Sequence, residues 1–253
     1  MNKLIQNNLQ LFINSKNANL KLNNTFNSDC IFNLEHIDLE DARLIYISVQ
    51  TAQIPYSFFN CDDYDNKLVL FTGSNTYNIT IPQGNYNVTT LATELKNVIL
   101  TATALTFTIT FNSLTNQFTF ATTQAFTFLK ASTCFELLGF EDGIDYSSVA
   151  NSLTSTISVN FFTIRNVLVE VSNLITDNLT TGESSNASIL ASIPITSSQG
   201  SIISYSNIFG IKNRISTIKN FTALHVRLLD DDLIPLDMNG CEWSLTLQIE
   251  YWI

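Results

Sequence analysis

Hydrophobic and polar residues alternate most strictly at the end of the chain, over residues 242–253. Odd positions carry Trp243, Leu245, Leu247, Ile249, Tyr251 and Ile253; even positions carry Glu242, Ser244, Thr246, Gln248, Glu250 and Trp252. Side chains change face at each step of a strand, so the stretch predicts one wholly apolar face and one nearly polar face. At ~3.3 Å per residue such a strand reaches ~40 Å, which is long for a globular domain. Its apolar face needs a whole layer as cover, and nothing upstream predicts enough helix. The expected fold class is therefore all-β dominated, a sandwich of two antiparallel sheets.

Upstream, strands are predicted over 30–39 and 43–51, the second running towards Pro55, which favours an edge or an exit. A hairpin is expected from 67–72 and 76–81 around Gly73-Ser74-Asn75. After Pro82 and Gly84, Leu91, Leu95, Val98 and Ile99 have the spacing of one buried helical face, with Asn87 as N-cap. Strands over 105–111 and 117–121 follow. A short helix at 133–138 is then predicted, with a capping box of Thr133 and Glu136 and a stop at Gly139. Further strands are expected at 156–162, 165–171, 189–195, 202–207 and 219–229, with loop at 176–186. The resulting organisation is an extended N-terminal arm (1–28), a jelly roll (29–60 plus 160–253) and an α+β insertion (61–159) of two short helices and about four strands. Outside the insertion roughly eight strands are expected, the number that a single jelly roll requires.

Composition adds two things. The chain of 253 residues is 45% hydrophobic but only 13% charged, so much of its surface is expected to lie against other subunits. The net charge of −10 argues against a specific nucleic-acid partner, yet residues 1–28 hold Lys3, Lys16 and Lys21 and no acid. Those lysines, and Trp252 alone among polar neighbours on its face, are the candidate subunit-interface residues. Cys30, Cys61, Cys134 and Cys241 are far apart and form no C-x-x-C pair, which leaves buried free thiols as the expectation. The N-terminal residues lack the apolar run of a signal peptide and no segment predicts a membrane span.

No residue pattern points to catalysis, and neither a cofactor nor a metal is expected. A Ser/His/Asp triad would have to use His36 or His225, and His225 sits between Leu224 and Val226 in a strand pattern that cross-strand pairing explains. Glu242 and Glu250 share a strand face, but eight residues put them ~26 Å apart, too far for one glycosidase site. Asp63 and Asp65 open like a calcium loop, but Lys67 stands where a ligand belongs. A carbohydrate- or receptor-binding jelly roll, using exposed aromatics, is the alternative to a structural role.

An ordered set of short motifs resembles a known family. The run Leu228-Leu229-Asp230, Ile234-Pro235-Leu236-Asp237-Met238-Asn239-Gly240, Trp243 to Leu247 is similar to the C-terminal signature of penton (minor capsid) proteins. These belong to polintons, polinton-like viruses and virophages, double-stranded DNA elements with double-jelly-roll major capsid proteins. Ile54-Pro55-Tyr56-Ser57-Phe58-Phe59-Asn60, Ile81-Pro82 with Gly84-Asn85-Tyr86, Leu137-Leu138-Gly139-Phe140, Ile189-Leu190-Ala191 with Ile193-Pro194, and Tyr205 with Asn207 stand in the same order. The resemblance implies a single jelly roll that forms homopentamers at icosahedral five-fold vertices. It implies as partners a double-jelly-roll major capsid protein and other minor capsid proteins, and as location the virion after synthesis in the host cytoplasm. Another minor capsid protein of the same virions is the nearest variant of that reading.

Overall fold

The computed structural model describes residues 5–22, 27–174, 188–215 and 220–253. In chain order these form β1 (Gln6–Asn14), β2 (Leu20–Lys21), β3 (Asp29–Asp38) and β4 (Leu44–Pro55). Next come β5 (Lys67–Phe71), β6 (Thr76–Thr80), α1 (Val88–Thr103), β7 (Thr108–Asn112), β8 (Gln117–Ala121), β9 (Thr127–Phe128), α2 (Phe135–Leu138), β10 (Tyr146–Ser147) and β11 (Ser152–Thr154). The chain ends with β12 (Asn166–Val171), β13 (Ile189–Pro194), β14 (Ile202–Ser206), β15 (Asn213–Arg214), β16 (Asn220–Leu229) and β17 (Ser244–Trp252). Two compact units result: Met1–Phe58 with Ile164–Ile253, and Phe59–Thr163.

The first unit is a jelly roll. One sheet runs β1-β17-β4-β14, with β15 also on β4, and the other runs β13-β12-β16-β3-β2. Each sheet draws strands from both ends of the chain, so neither can form before distant segments meet. The period-two pattern of β17 decides its facing: Leu245, Leu247 and Ile249 are buried with Trp243, while Ser244, Thr246 and Gln248 reach the surface. Trp243 stands edge-on to Phe32, and its Nε1 donates to the Asn27 carbonyl at 2.7 Å. Val167, Val169, Val171, Leu224, Val226 and Leu228 supply the facing layer of this core.

Three expectations are corrected. Within the arm expected over residues 1–28, the described residues 6–14 are not free: β1 pairs antiparallel with β17 over nine positions, Gln6 opposite Trp252 through Asn14 opposite Ser244. The strand expected at 156–162 is absent. Its alternating Ile157 and Val159 are genuine, but their amides donate to the carbonyls of Gly139 and Asn116, which belong to different segments, so no ladder forms. β1 takes the vacated place among the eight long strands of the sandwich. The capping box of Thr133 and Glu136 does not form either; Thr133 Oγ1 accepts from the Lys67 amide and α2 begins after Cys134 without a side-chain cap. The loop expected at 176–186 lies outside the described residues.

The second unit has its own core. Sheets β10-β9-β5-β6 and β11-β8-β7 enclose it with α1, whose Leu91, Leu95 and Ile99 are fully buried. Asn87 caps α1 as its sequence suggests: its side chain accepts from the Thr89 and Thr90 amides, and Thr90 Oγ1 accepts in return from the Asn87 amide. Gly139 ends α2 at φ +79°, where a Cβ would lie 2.5 Å from the Ile157 carbonyl oxygen, so no other residue fits. Cys61 and Cys134 are buried free thiols of this core. Burial pushes Cys61 up to about 12, which keeps it protonated and unreactive.

Asp65 heads the turn before β5, where its Oδ1 accepts from the Asp62 amide at 2.8 Å. Burial, reinforced by the Asp62 charge, raises it from 3.8 to about 7 despite that hydrogen bond. Between about pH 4 and pH 7 the folded chain therefore holds a proton that the unfolded chain has lost, and stability falls as pH rises through this window. Asp65→Asn is expected to flatten the fall. Melting temperatures at pH 5 and pH 8 should differ less than in the wild type; an unchanged difference contradicts the assignment.

Candidate assembly interface

The two outer faces of the jelly roll differ in chemistry. On the first sheet the register aligns Gln10 with Gln248 and Ser48, and Asn14 with Ser244 and Gln53. Thr246 lies between Phe12 and Thr51, whose Oγ1 donates to the Thr246 hydroxyl at 3.1 Å. Phe12 apart, these are amide and hydroxyl side chains, and none carries a charge. The acid on this face, Glu250, is only 4% exposed and is satisfied by Lys212 at 2.6 Å, Gln248 at 2.8 Å and Gln6 at 3.1 Å. A buried carboxylate tolerates its lost hydration only with such partners. A shallow cavity of about 280 Å³ opens on this face, lined among others by Phe12, Asn17, Thr51, Gln53 and Ser244.

The second sheet is charged outside. Glu170, Arg227 and Asp29 line up across β12, β16 and β3, with Arg227 Nη1 donating to Glu170 at 2.9 Å. His225 lies beside them, its Nε2 2.5 Å from Asp29 Oδ1 and its Nδ1 2.6 Å from the Ser172 hydroxyl. This is the cross-strand pairing that the strand pattern around His225 predicts. The His36 side chain lies outside what is described.

The lysines expected at an interface fare differently. Lys3 lies outside the described residues. Lys16 is exposed in the short turn of helix after β1. Lys21 is tied into its own chain, 2.8 Å from Asn27 Oδ1 and 3.2 Å from Glu242 Oε1. Glu242 also accepts from the Ser15 hydroxyl, which in turn accepts from the Trp243 amide at 2.9 Å. Burial pushes the Glu242 carboxyl up, but the bonds from Ser15 and Lys21 and the charges of Lys21 and Lys16 outweigh it and leave it below the usual range. That suits a structural carboxylate that pins β1 to β17. Trp252 is half-buried and edge-on to Tyr46 of its own chain, with ring centroids 5.5 Å apart. The structure thus brings Lys16 and Lys21 together around Glu242 and leaves Trp252 at the other end of β17.

Among the described residues, no three His, Cys, Asp or Glu side chains are grouped to hold a metal ion, and no helix is long and apolar enough to cross a membrane. Asp62, like Asp65, serves its turn, accepting from the Tyr64 amide at 2.8 Å.

No protein-family model matches the chain, and no curated protein does. Among solved structures, the chain is similar to the mavirus penton protein at 14% identity, covering 98% of this chain and 99% of that one, with a TM-score of 0.52. A chain of the Sputnik virophage, determined by cryo-EM, is 11% identical over 96% of this chain and 97% of that one, with a TM-score of 0.43. The mavirus likeness covers nearly all of both chains and shows a shared fold.

Proposed function

We propose that the chain is a structural capsid protein, a penton that forms homopentamers at icosahedral five-fold vertices beside a double-jelly-roll major capsid protein. The observation that carries the reading is the match to a penton protein over 98% of this chain and 99% of the other, insertion included. The outer face of the first sheet, where the Glu250 charge is paired with Lys212 and the aligned side chains around it are neutral, supports it, because charged residues are depleted where subunits meet. Of the interface residues expected from sequence, Lys16 and Lys21 stand at one end of the β1–β17 pair and Trp252 at the other, and Lys3 lies outside the described residues. The reading includes location in the virion and no enzymatic role.

Negative-stain electron microscopy of the purified protein, alone and with its major capsid protein, tests it. Class averages are expected to show five-fold rings. A stable monomer or trimer under both conditions contradicts the proposal.

The cavity beside Phe12 favours one competing reading. An exposed ring beside neutral hydroxyl and amide groups is the lining that a sugar takes. Glycan binding there requires the wild type to bind an array and Phe12→Ala to lose it; a silent array removes the idea.

A further inference from the structure

Large apolar side chains left in solvent are not scattered over the jelly roll. Those of the described residues gather on its two opposite lateral edges. β1 is one edge of the first sheet and β2 is the edge of the second, and residues 15–17 join them on one side of the sandwich. That side exposes Ile5, Phe12, Leu20 and Leu22, with Ile253 bonded to Ile5 through both backbone groups. The other side is formed by β14 and β15 of the first sheet and β13 of the second, linked where Asn213 Nδ2 donates to the Leu190 carbonyl at 2.9 Å. It exposes Ile202, Ile208, Phe209 and Ile211. The last three form the turn between β14 and β15, where the chain leaves β4 at Thr51 and returns to it at Ile47. Phe209 is 85% exposed at this turn and Phe12 is 80% exposed on the opposite edge.

We infer that these edges bind each other in successive copies of this chain: the Ile208–Phe209–Ile211 turn of one copy docks on the β1–β2 edge of the next. The inference rests on the penton reading and names the surfaces through which its ring closes. Three observations carry it. A joint between two different surfaces repeats head to tail and can close into a ring when its rotation divides the circle, whereas a two-fold joint stops at a dimer. The areas also suit. At roughly 150–250 Å² per large side chain, each edge offers on the order of 500 Å² of exposed apolar surface. A standard interface takes about 800 Å² per partner, a little over half of it apolar. Finally, two of the cations beside the edges are paired within the chain, Lys21 with Glu242 and Lys212 with Glu250, so neither of these two opposes the approach.

Light scattering after size-exclusion chromatography tests this with wild type, Phe12→Glu, Phe209→Glu and an equal mixture of the two variants. The wild type is expected at about five times the 28.3 kDa chain mass. Each variant is expected at one chain mass with an unchanged melting temperature, since both rings stand in solvent. The mixture is expected at two chain masses: Phe12→Glu keeps a good turn, Phe209→Glu keeps a good β1–β2 edge, and the single joint they make cannot extend. Wild-type rings that persist in Phe209→Glu overturn the edge assignment and leave the penton reading standing, as does a mixture that stays monomeric. A wild type that stays at one chain mass, alone and with the major capsid protein, overturns both. If Phe209→Glu lowers the melting temperature, Ile208→Glu replaces it with the same expectations.

Discussion

Leu247→Asp is expected to leave no folded protein. Leu247 is fully buried at the middle of β17, between Leu11 of β1 and Val49 of β4, beside the bulge at which the β4 register shifts. Truncation to alanine there should already cost about 2–5 kcal/mol. A carboxyl there adds several kcal/mol of desolvation with no partner to offset it, whether it stays charged or takes up a proton, and with the lost packing the sum is comparable to the ~5–15 kcal/mol that holds a typical domain together. The measurement is the soluble fraction on expression, followed by near-ultraviolet circular dichroism of whatever is soluble. Soluble protein with a native spectrum would show that this row does not face the core.

The second large effect belongs to the other unit. Phe140 is fully buried among Phe120, Phe128, Phe135 and Tyr146, with ring centroids 4.6–6.1 Å away. Phe140→Ala removes four ring contacts and leaves a cavity, so a loss of about 3–5 kcal/mol is expected. Two readouts follow the two units separately. Both tryptophans, Trp243 and Trp252, lie in the jelly roll, whereas α1 and α2 lie in the Phe59–Thr163 unit. The urea midpoint of the helical signal at 222 nm should fall clearly. An unchanged helical midpoint contradicts the packing described for Phe140.

Much of this architecture is legible in the sequence, and the gaps have physical causes. β17, β8, the β5–β6 hairpin and α1 carry their own periodicity, and the structure places them within a few residues of where the pattern does. β1 was obscured because Gln, Asn and three lysines dominate its neighbourhood, although Leu9, Leu11 and Ile13 alternate beneath them. Its strand state comes from nine residues of register with β17, almost the whole chain away, and not from local propensity. The stretch 156–162 is the converse case, an alternating pattern whose amides find acceptors in separate segments. The low charge predicts a protein that assembles, whereas the surfaces proposed for that assembly were not legible in the sequence. The apolar side chains at the two edges lie far apart in sequence, from Ile5 to Ile253, and only strand order gathers them. Lys21, singled out by charge, turned out to be held inside the fold by Glu242 and Asn27.

We propose this jelly roll as the subunit of a five-fold vertex. Cryo-EM of the assembled particle, refined locally at its vertices without imposed symmetry, tests it most directly. Five copies of the β1-β17-β4-β14 and β13-β12-β16-β3-β2 sandwich are expected around each five-fold axis. Vertices filled by a different chain, or this fold found in groups of another number, would contradict it.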